Sequence, residues 1–545
     1  MGTRPFLSFA LLLATATAQA PPGYKTYENK LAELKFFYPT AYQEMPVPPT
    51  EQTLVAKYVL KDKPAELKKV DDRLFKSVGQ TLFVFQFDVP PPKTGAEAVA
   101  EKDKPKEGGP ATVKEAMEEQ SRVTSWDEFC KRFSNWKLTE EAKKPGQFEL
   151  AYTGEWRVNE ARPIGYLVKK QDGNSVFGVY GIGLSLSEKA LQTHVAKIAG
   201  SLEIAGEETG AAAEAAIDRL YASGKFRGIP FRKKARGELA KGWRAVDTEN
   251  YLIVHHSKNE GLISQVAREI EAMRALYSEL FPPTGPMDSL SVVRICRTRD
   301  EYHQYGGPPN TGGYWHQGNE ELVFYDYSHT QRNLDRDERK AQGDRVMTDD
   351  DSLLVLYHEA FHQYIHYAVG EVAPHDWFNE GYGDYFSGAV VASNTSRVMR
   401  VDPSSWRIHL AKDMCEYGVG FVPLDEILKA ERAVFYNPAR IRFFYAGAWS
   451  FVFFLKQSKE VALHPQWSKM LETYFTGVKQ AFKDEIGKIE GTPDLTQKQI
   501  AGFNARKTAL KATLEGLDVP ALEKVWRKWV VEMKDPWPSK RKKQK

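Results

Sequence analysis

Cysteine is scarce: the 545 residues hold three, Cys130, Cys296 and Cys415, far apart in the chain. No spacing among them resembles a metal knuckle or a disulfide framework, and at most one pair could form. Stability therefore has to come from packed cores, which a chain of this length can build. A surplus of either charge is also missing. The 75 Lys and Arg stand against 72 Asp and Glu, a formal charge of +3. That leaves no broad basic field and disfavours nucleic acid as a partner. Only the end is strongly basic, five of its last six residues being Lys or Arg, and 536–545 reads as a solvated tail. Beyond the N-terminus there is no run of 18 apolar residues, so no membrane span is expected. With 42% hydrophobic and 27% charged residues, the chain is neither collagen-like, coiled-coil nor wholly disordered. At about 150 residues per domain the length suggests three to four domains.

What is present begins with an export signal. Arg4 gives a short positive region, Phe6 to Ala14 is mostly apolar, and Ala18-Gln19-Ala20 is a small-x-small cleavage site before Pro21-Pro22. Cleavage after Ala20 and an exported mature protein, periplasmic or extracellular, are expected. The apolar stretch is too short to span a bilayer.

The rest divides into an N-terminal domain (21–204), a linker (205–241) and a C-terminal domain (242–535). Short alternating runs in the first, Leu34 to Tyr38, Thr53 to Leu60 and Thr81 to Phe87, read as strands. Val89 to Glu118, rich in Pro, Gly, Ala, Lys and Glu, reads as a disordered insertion. A helix at Trp126 to Phe133 follows, then strands at Gln147 to Trp156, Ala161 to Lys169 and Ser175 to Ser185, and a helix at Glu188 to Ala199. This is an α/β sandwich with an antiparallel sheet and no catalytic constellation. The linker is Ala-rich, then basic with Gly228 and Pro230 as breakers. The C-terminal domain opens with strands at Tyr251 to His256, Leu290 to Cys296 and Glu321 to Tyr327 and a helix at Glu260 to Phe281. From Asp349 onward it is almost entirely helical. The expected class is α+β and multidomain, a small sheet layer followed by a helical layer.

Chemistry concentrates at His358-Glu359-Ala360-Phe361-His362, an H-E-x-x-H motif. Asp350 and Asp351 are suitable caps for a helix reaching about Val369. Positions 358 and 362 lie one turn apart on one face, so two imidazoles can reach one ion at about 2.0–2.1 Å, the zinc–nitrogen distance. Most other faces of this helix are apolar, so it should be buried, and burying two imidazoles and a carboxylate is costly unless they are paired or coordinated. A third ligand could come from three places. His366 sits about 12 Å along the axis from His358, too far to share the ion. His375 falls in a loop after Pro374. Glu380 lies at the start of a second helix, which a short connection folds back beside the first.

His358-Glu359-x-x-His362, then Asn379-Glu380 after 16 intervening residues, with Asp384 four beyond Glu380, resembles the gluzincin metallopeptidases of the peptidase MA clan. These include the thermolysin-like and aminopeptidase N-like groups. The resemblance implies a thermolysin-like domain that holds one zinc ion per chain on His358, His362 and Glu380. Glu359 would be the general base, and Asp384 and Asn379 would support the ligands from behind. The reaction implied is hydrolysis of peptide or protein substrates by a zinc-activated water. The metzincin pattern is absent, since Ile365 and Ala368 stand where its Gly and His would be. The aminopeptidase glycine-methionine-glutamate-asparagine motif is absent as well.

Gly312 to Trp315 followed by Glu321 to Tyr327 looks like the edge strand that gluzincins lay beside a bound peptide; an internal strand is the alternative. Tyr445, in Phe443 to Trp449, resembles an oxyanion-stabilising tyrosine, with a packed core aromatic as the alternative. His316, His329 and Arg442 could also line a cleft, although ordinary structural roles suit them better. In the first domain, Tyr27 to Leu31 with Phe37-Tyr38-Pro39, and Ile198 to Leu202, resemble PsbP-like domains of exported proteins. Two other functions fit the same residues: a catalytically silent binding or scaffold protein, and a zinc amidase acting on a non-peptide cell-wall component. Every ligand lies beyond Lys241, so a chain starting there is expected to fold and keep the site.

Overall fold

The computed structural model describes residues 20–27, 34–68, 70, 80–89, 109–138, 150–154, 161–204, 215, 217–222, 224, 226–285, 287, 290–309, 311–327, 349–392 and 397–536. Nearly all of the expected export signal, residues 205–214 of the linker, His329 and nearly all of the basic tail lie outside these. The fold is mixed, with several sheets and many helices in two compact units.

The first unit contains a seven-stranded sheet. Its strands are β1 (Tyr42–Met45), β2 (Leu54–Leu60), β3 (Thr81–Asp88), β4 (Trp136–Leu138), β5 (Leu150–Gly154), β6 (Pro163–Asp172) and β7 (Ser175–Leu184). They pair in the order β1-β2-β3-β7-β6-β5-β4, every pair antiparallel. Helix α1 (Glu188–Ser201) covers the sheet through Leu191, Val195, Ile198 and Ala199, the i, i+4, i+7 and i+8 stripe of an amphipathic helix. Gly181 of β7 permits this approach, because a Cβ there would stand 2.7 Å from Val195 Cγ2. Sequence reasoning found five of the seven strands; β1 and β4 are too short to show a period.

The second unit holds a five-stranded sheet of β8 (Arg244–Asp247), β9 (Tyr251–His255), β10 (Ser291–Cys296), β11 (Gly313–His316) and β12 (Glu321–Tyr325), in the order β8-β9-β10-β12-β11. The inner pairs β9–β10 and β10–β12 are parallel and the outer pairs antiparallel. Strands β9, β10 and β12 are buried along their whole length, which is why they read as continuous apolar runs rather than alternating ones. Of the two stretches that suggested an edge strand, β11 is at the edge and β12 lies inside.

Helix α2 (Glu260–Leu280) packs on α3 (Asp349–Val369), and α3 lies against β11 and β12. The helical layer continues with α4 (Asp376–Phe386), α5 (Ile408–Tyr417), α6 (Ile441–Gln457), α7 (Met470–Ile486), α8 (Leu495–Leu514) and α9 (Val519–Glu532). One hydrophobic core runs from Ala240 to Met533 through sheet and helices. The layer is not wholly helical: Ala389–Val391 and Val398–Val401 form a hairpin.

Three expectations need correction. Within the supposed disordered insertion, Val113–Ser121 is a helix with a complete capping box between Thr112 and Glu115. Such a box satisfies two terminal donors locally, so the segment does not depend on apolar content to be helical; residues 90–108 lie outside the description. The linker's basic stretch also folds. Ile229–Gly237 is a helix whose Arg232 is fully buried on Asp247 and on the carbonyls of Thr248, Glu249 and Tyr251. Lastly, Asp350 and Asp351 sit inside the first turn of α3, which starts at Asp349. The division between the two units at Ala215/Ala216 falls inside the 205–241 linker, and Pro46–Thr53 and the described part of Pro90–Val123 belong to the second unit. All three cysteines are free.

Candidate metal centre

Helix α3 is apolar on most sides and its neighbours bury it, so His358 reaches a closed interior. The helix ends at Gly370, whose φ of 116° is easy only for glycine. Glu371 follows at φ 68°. The chain turns through Pro374, and His375 then begins α4. Two glycines let α4 lie close. A Cβ on Gly383 would come within 2.8 Å of the His358 ring, and one on Gly381 within 2.7 Å of Val452 and 2.8 Å of the Ala448 carbonyl on α6. Every residue of α4 is buried.

This packing brings Glu380 to both imidazoles. Its Oε2 lies 3.1 Å from His358 Nε2 and 3.4 Å from His362 Nε2. Among the described residues, His358, His362 and Glu380 are the one group of ligand-type side chains gathered closely enough to hold a metal ion, their ligand atoms all within 4.8 Å of one another. The opposite ring nitrogens are occupied. His358 Nδ1 is 3.3 Å from Asp384 Oδ1, and His362 Nδ1 donates to Asn379 Oδ1 at 2.9 Å. Both Nε2 atoms therefore face the shared point, with tautomer and ring orientation set from behind. The donor set, two imidazoles and one carboxylate, suits zinc or a similar borderline ion.

Burial opposes charge on all three groups, and mutual pairing overrides it. Asp384 and Glu380 raise His358's pKa well above the usual imidazole range despite burial. Glu380 raises that of His362 in the same way. The two imidazoles hold Glu380 well below the carboxylate range. Protons and a metal ion would compete for the same nitrogens.

Glu359 is placed differently. Its Oε2 accepts the backbone N–H of Trp315, on the edge strand β11, at 3.0 Å. Burial raises its pKa, with His358 and His362 pulling the other way. Trp315 N–H thus points away from β12 and toward the site, and the strand edge faces Glu359.

Two residues at the site, Arg407 and Tyr436, were not expected from sequence, and a third, Trp315 of the expected edge strand, takes a role that was not. Arg407 Nε donates to Asp384 Oδ2 at 2.6 Å, and its guanidinium lies 4.7 Å over the Tyr445 ring. Tyr436, just after the short helix Arg432–Phe435, donates its hydroxyl to Glu380 Oε1. Trp315 supplies a backbone group. None belongs to a motif, and the first two lie 23 and 56 residues from their partners, so no local spacing could signal them. Tyr445 is at the site as well, its ring stacked 6.4 Å from that of His358.

The other candidates are elsewhere. His366 Nδ1 faces the Gln317 side chain at 3.4 Å. His375 is buried against the Tyr474 hydroxyl, and burial lowers its pKa to about 4. His316 Nδ1 accepts the Asn319 N–H. Arg442 stacks on Phe443.

No family model and no curated protein matches the chain. Among solved structures it is similar to the solution structure of cyanobacterial PsbP (CyanoP) from Synechocystis sp. PCC 6803, with 10% identity over 35% of this chain and 99% of that one. The TM-score is 0.19, a likeness too weak to bear on fold or function. Among the described residues no helix is long and apolar enough to cross a membrane.

Proposed function

We propose that the chain is an exported, zinc-dependent peptidase. The observation that carries this reading is the convergence of His358 Nε2, His362 Nε2 and a Glu380 oxygen on one point, with Glu359 beside it on a strand edge. The motif's resemblance to the gluzincins supports it independently of the geometry. One zinc ion held there would polarise a scissile carbonyl and lower the pKa of a water.

The chain's own residues would do the rest. Trp315 N–H steadies one oxygen of Glu359 and leaves the other to take the proton of the attacking water and return it to the leaving nitrogen. Asp384 and Asn379 keep both imidazoles aimed, and Arg407 keeps Asp384 ionised by its charge. The Tyr445 hydroxyl, whose pKa burial and the nearby carboxylates raise, stays protonated and can donate to charge developing on the carbonyl oxygen. The outward backbone of β11 would pair with an extended peptide.

The test is a peptide-library digest of purified protein, with metal analysis, for wild type and Glu359→Gln. Glu359 is not a ligand in this reading. The variant should therefore keep one zinc per chain and lose about 10²–10⁴-fold in rate. Equal rates would refute the mechanism. A wild type that binds zinc but cleaves nothing would favour a silent scaffold, and cleavage confined to cell-wall amides would favour the amidase.

A further inference from the structure

Two short stretches from the N-terminal half of the sequence meet at one turn of the second unit. The turn, Gln317 to Glu320, joins edge strand β11 to β12. Thr50, from Pro46–Thr53, donates its hydroxyl to Asn319 Oδ1 at 2.7 Å, both residues buried. Helix Val113–Ser121 lies on the same turn. The Met117 thioether fills the space over Gly318, where a Cβ would stand 2.0 Å from the sulfur. Lys114 Nζ pairs with Glu320 Oε2 at 2.7 Å. The other oxygen of Glu320 accepts the Tyr367 hydroxyl of α3 at 3.0 Å.

Glu320 has φ 53°, a left-handed conformation that non-glycine residues keep where surrounding contacts over-determine it. Lys114 and Tyr367 are such contacts. The helix buries no side chain completely, so these contacts hold it. A bond from Leu495 N–H to the Pro110 carbonyl, at 2.7 Å, anchors its approach. From the turn the connection reaches the base directly: the Tyr367 ring meets that of Trp315 at 6.2 Å, and Trp315 N–H holds Glu359.

We propose that helix Val113–Ser121 is a positioning element of the peptide-binding edge. By clamping the turn it fixes β11 beside Glu359, and it ends the usable strand at His316. This rests on the peptidase reading above and names the substrate more closely, as an extended, unfolded peptide. The four residues of β11 span about 13 Å at roughly 3.3 Å per residue. A peptide can lie along about four residues of strand before it meets the turn and the helix.

The experiment compares full-length zinc-loaded wild type, Lys114→Glu and Lys114→Arg. Backbone hydrogen exchange over 313–320 is measured alongside kinetics on peptides of increasing length. Lys114→Glu sets two carboxylates together at Glu320. It should speed exchange over the turn and raise KM about five-fold for peptides long enough to reach it. Zinc content should be unchanged, short substrates should suffer less than long ones, and Lys114→Arg should behave as wild type. Unchanged exchange in Lys114→Glu overturns the clamp, as does a loss of kcat and thermal stability that ignores peptide length. The exchange arm needs no turnover, so a wild type that cleaves no peptide overturns the peptidase reading separately.

Discussion

At the residue scale, the site contains two tyrosines where sequence pointed to one. Tyr436 donates to Glu380, a proposed ligand, while Tyr445 stacks near His358 under Arg407. Their expected effects differ. In the proposed mechanism Tyr445→Phe removes a donor to the developing oxyanion, so kcat should fall about 10²–10³-fold with KM and zinc content little changed. Tyr436→Phe removes a hydrogen bond from a ligand's free oxygen and should instead weaken zinc binding, by roughly 10-fold. Stopped-flow turnover with competitive chelator titration separates the two. The opposite pattern would transfer the oxyanion role to Tyr436. His375, read as a loop histidine and a possible ligand, has its imidazole on Tyr474, which leaves Glu380 as the third member of the group.

At the element scale, the site depends on how closely α4 approaches α3. The ring of His358 occupies the place where a side chain at 383 would begin. Gly383→Ala should push the helices apart, lower zinc affinity and destabilise the fold by about 1–3 kcal/mol, the usual range for overpacking. Denaturant midpoints and metal competition measure the two effects. A variant with both unchanged would mean that α4 can shift without moving Glu380. The H-E-x-x-H spacing was legible because both histidines sit on one helix whose period is fixed. The approach distance was not, because it depends on small residues on a different helix.

At the scale of the whole molecule, a chain starting near Lys241 no longer suits the second unit, although it carries every proposed ligand. It would lack Arg232, buried on Asp247, itself only 7% exposed at its side chain. Removing one partner of a buried ion pair costs about 3–5 kcal/mol. A chain starting at Ala216 should therefore unfold at higher denaturant than one starting at Lys241, by about that free energy. Equal midpoints would restore the linker to a passive role.

The sequence by itself determined what is local or periodic. The amphipathic stripe of α1, the apolar runs of β9, β10 and β12, the histidine pair on one face of α3 and the position of Glu380 and Asp384 one turn apart on α4 all follow from repeat lengths of two or 3.6 residues. Tertiary structure decided what rests on meetings between distant segments. Arg407 and Tyr436 reach the site from turns at the ends of other helices. β11 is the edge strand because β12 pairs with β10 on its other side. Helix Val113–Ser121, polar enough to read as disorder, is ordered by a capping box and by a turn some 200 residues away. Composition reports how much apolar surface a segment could bury; it does not report which polar partners another part of the chain will supply.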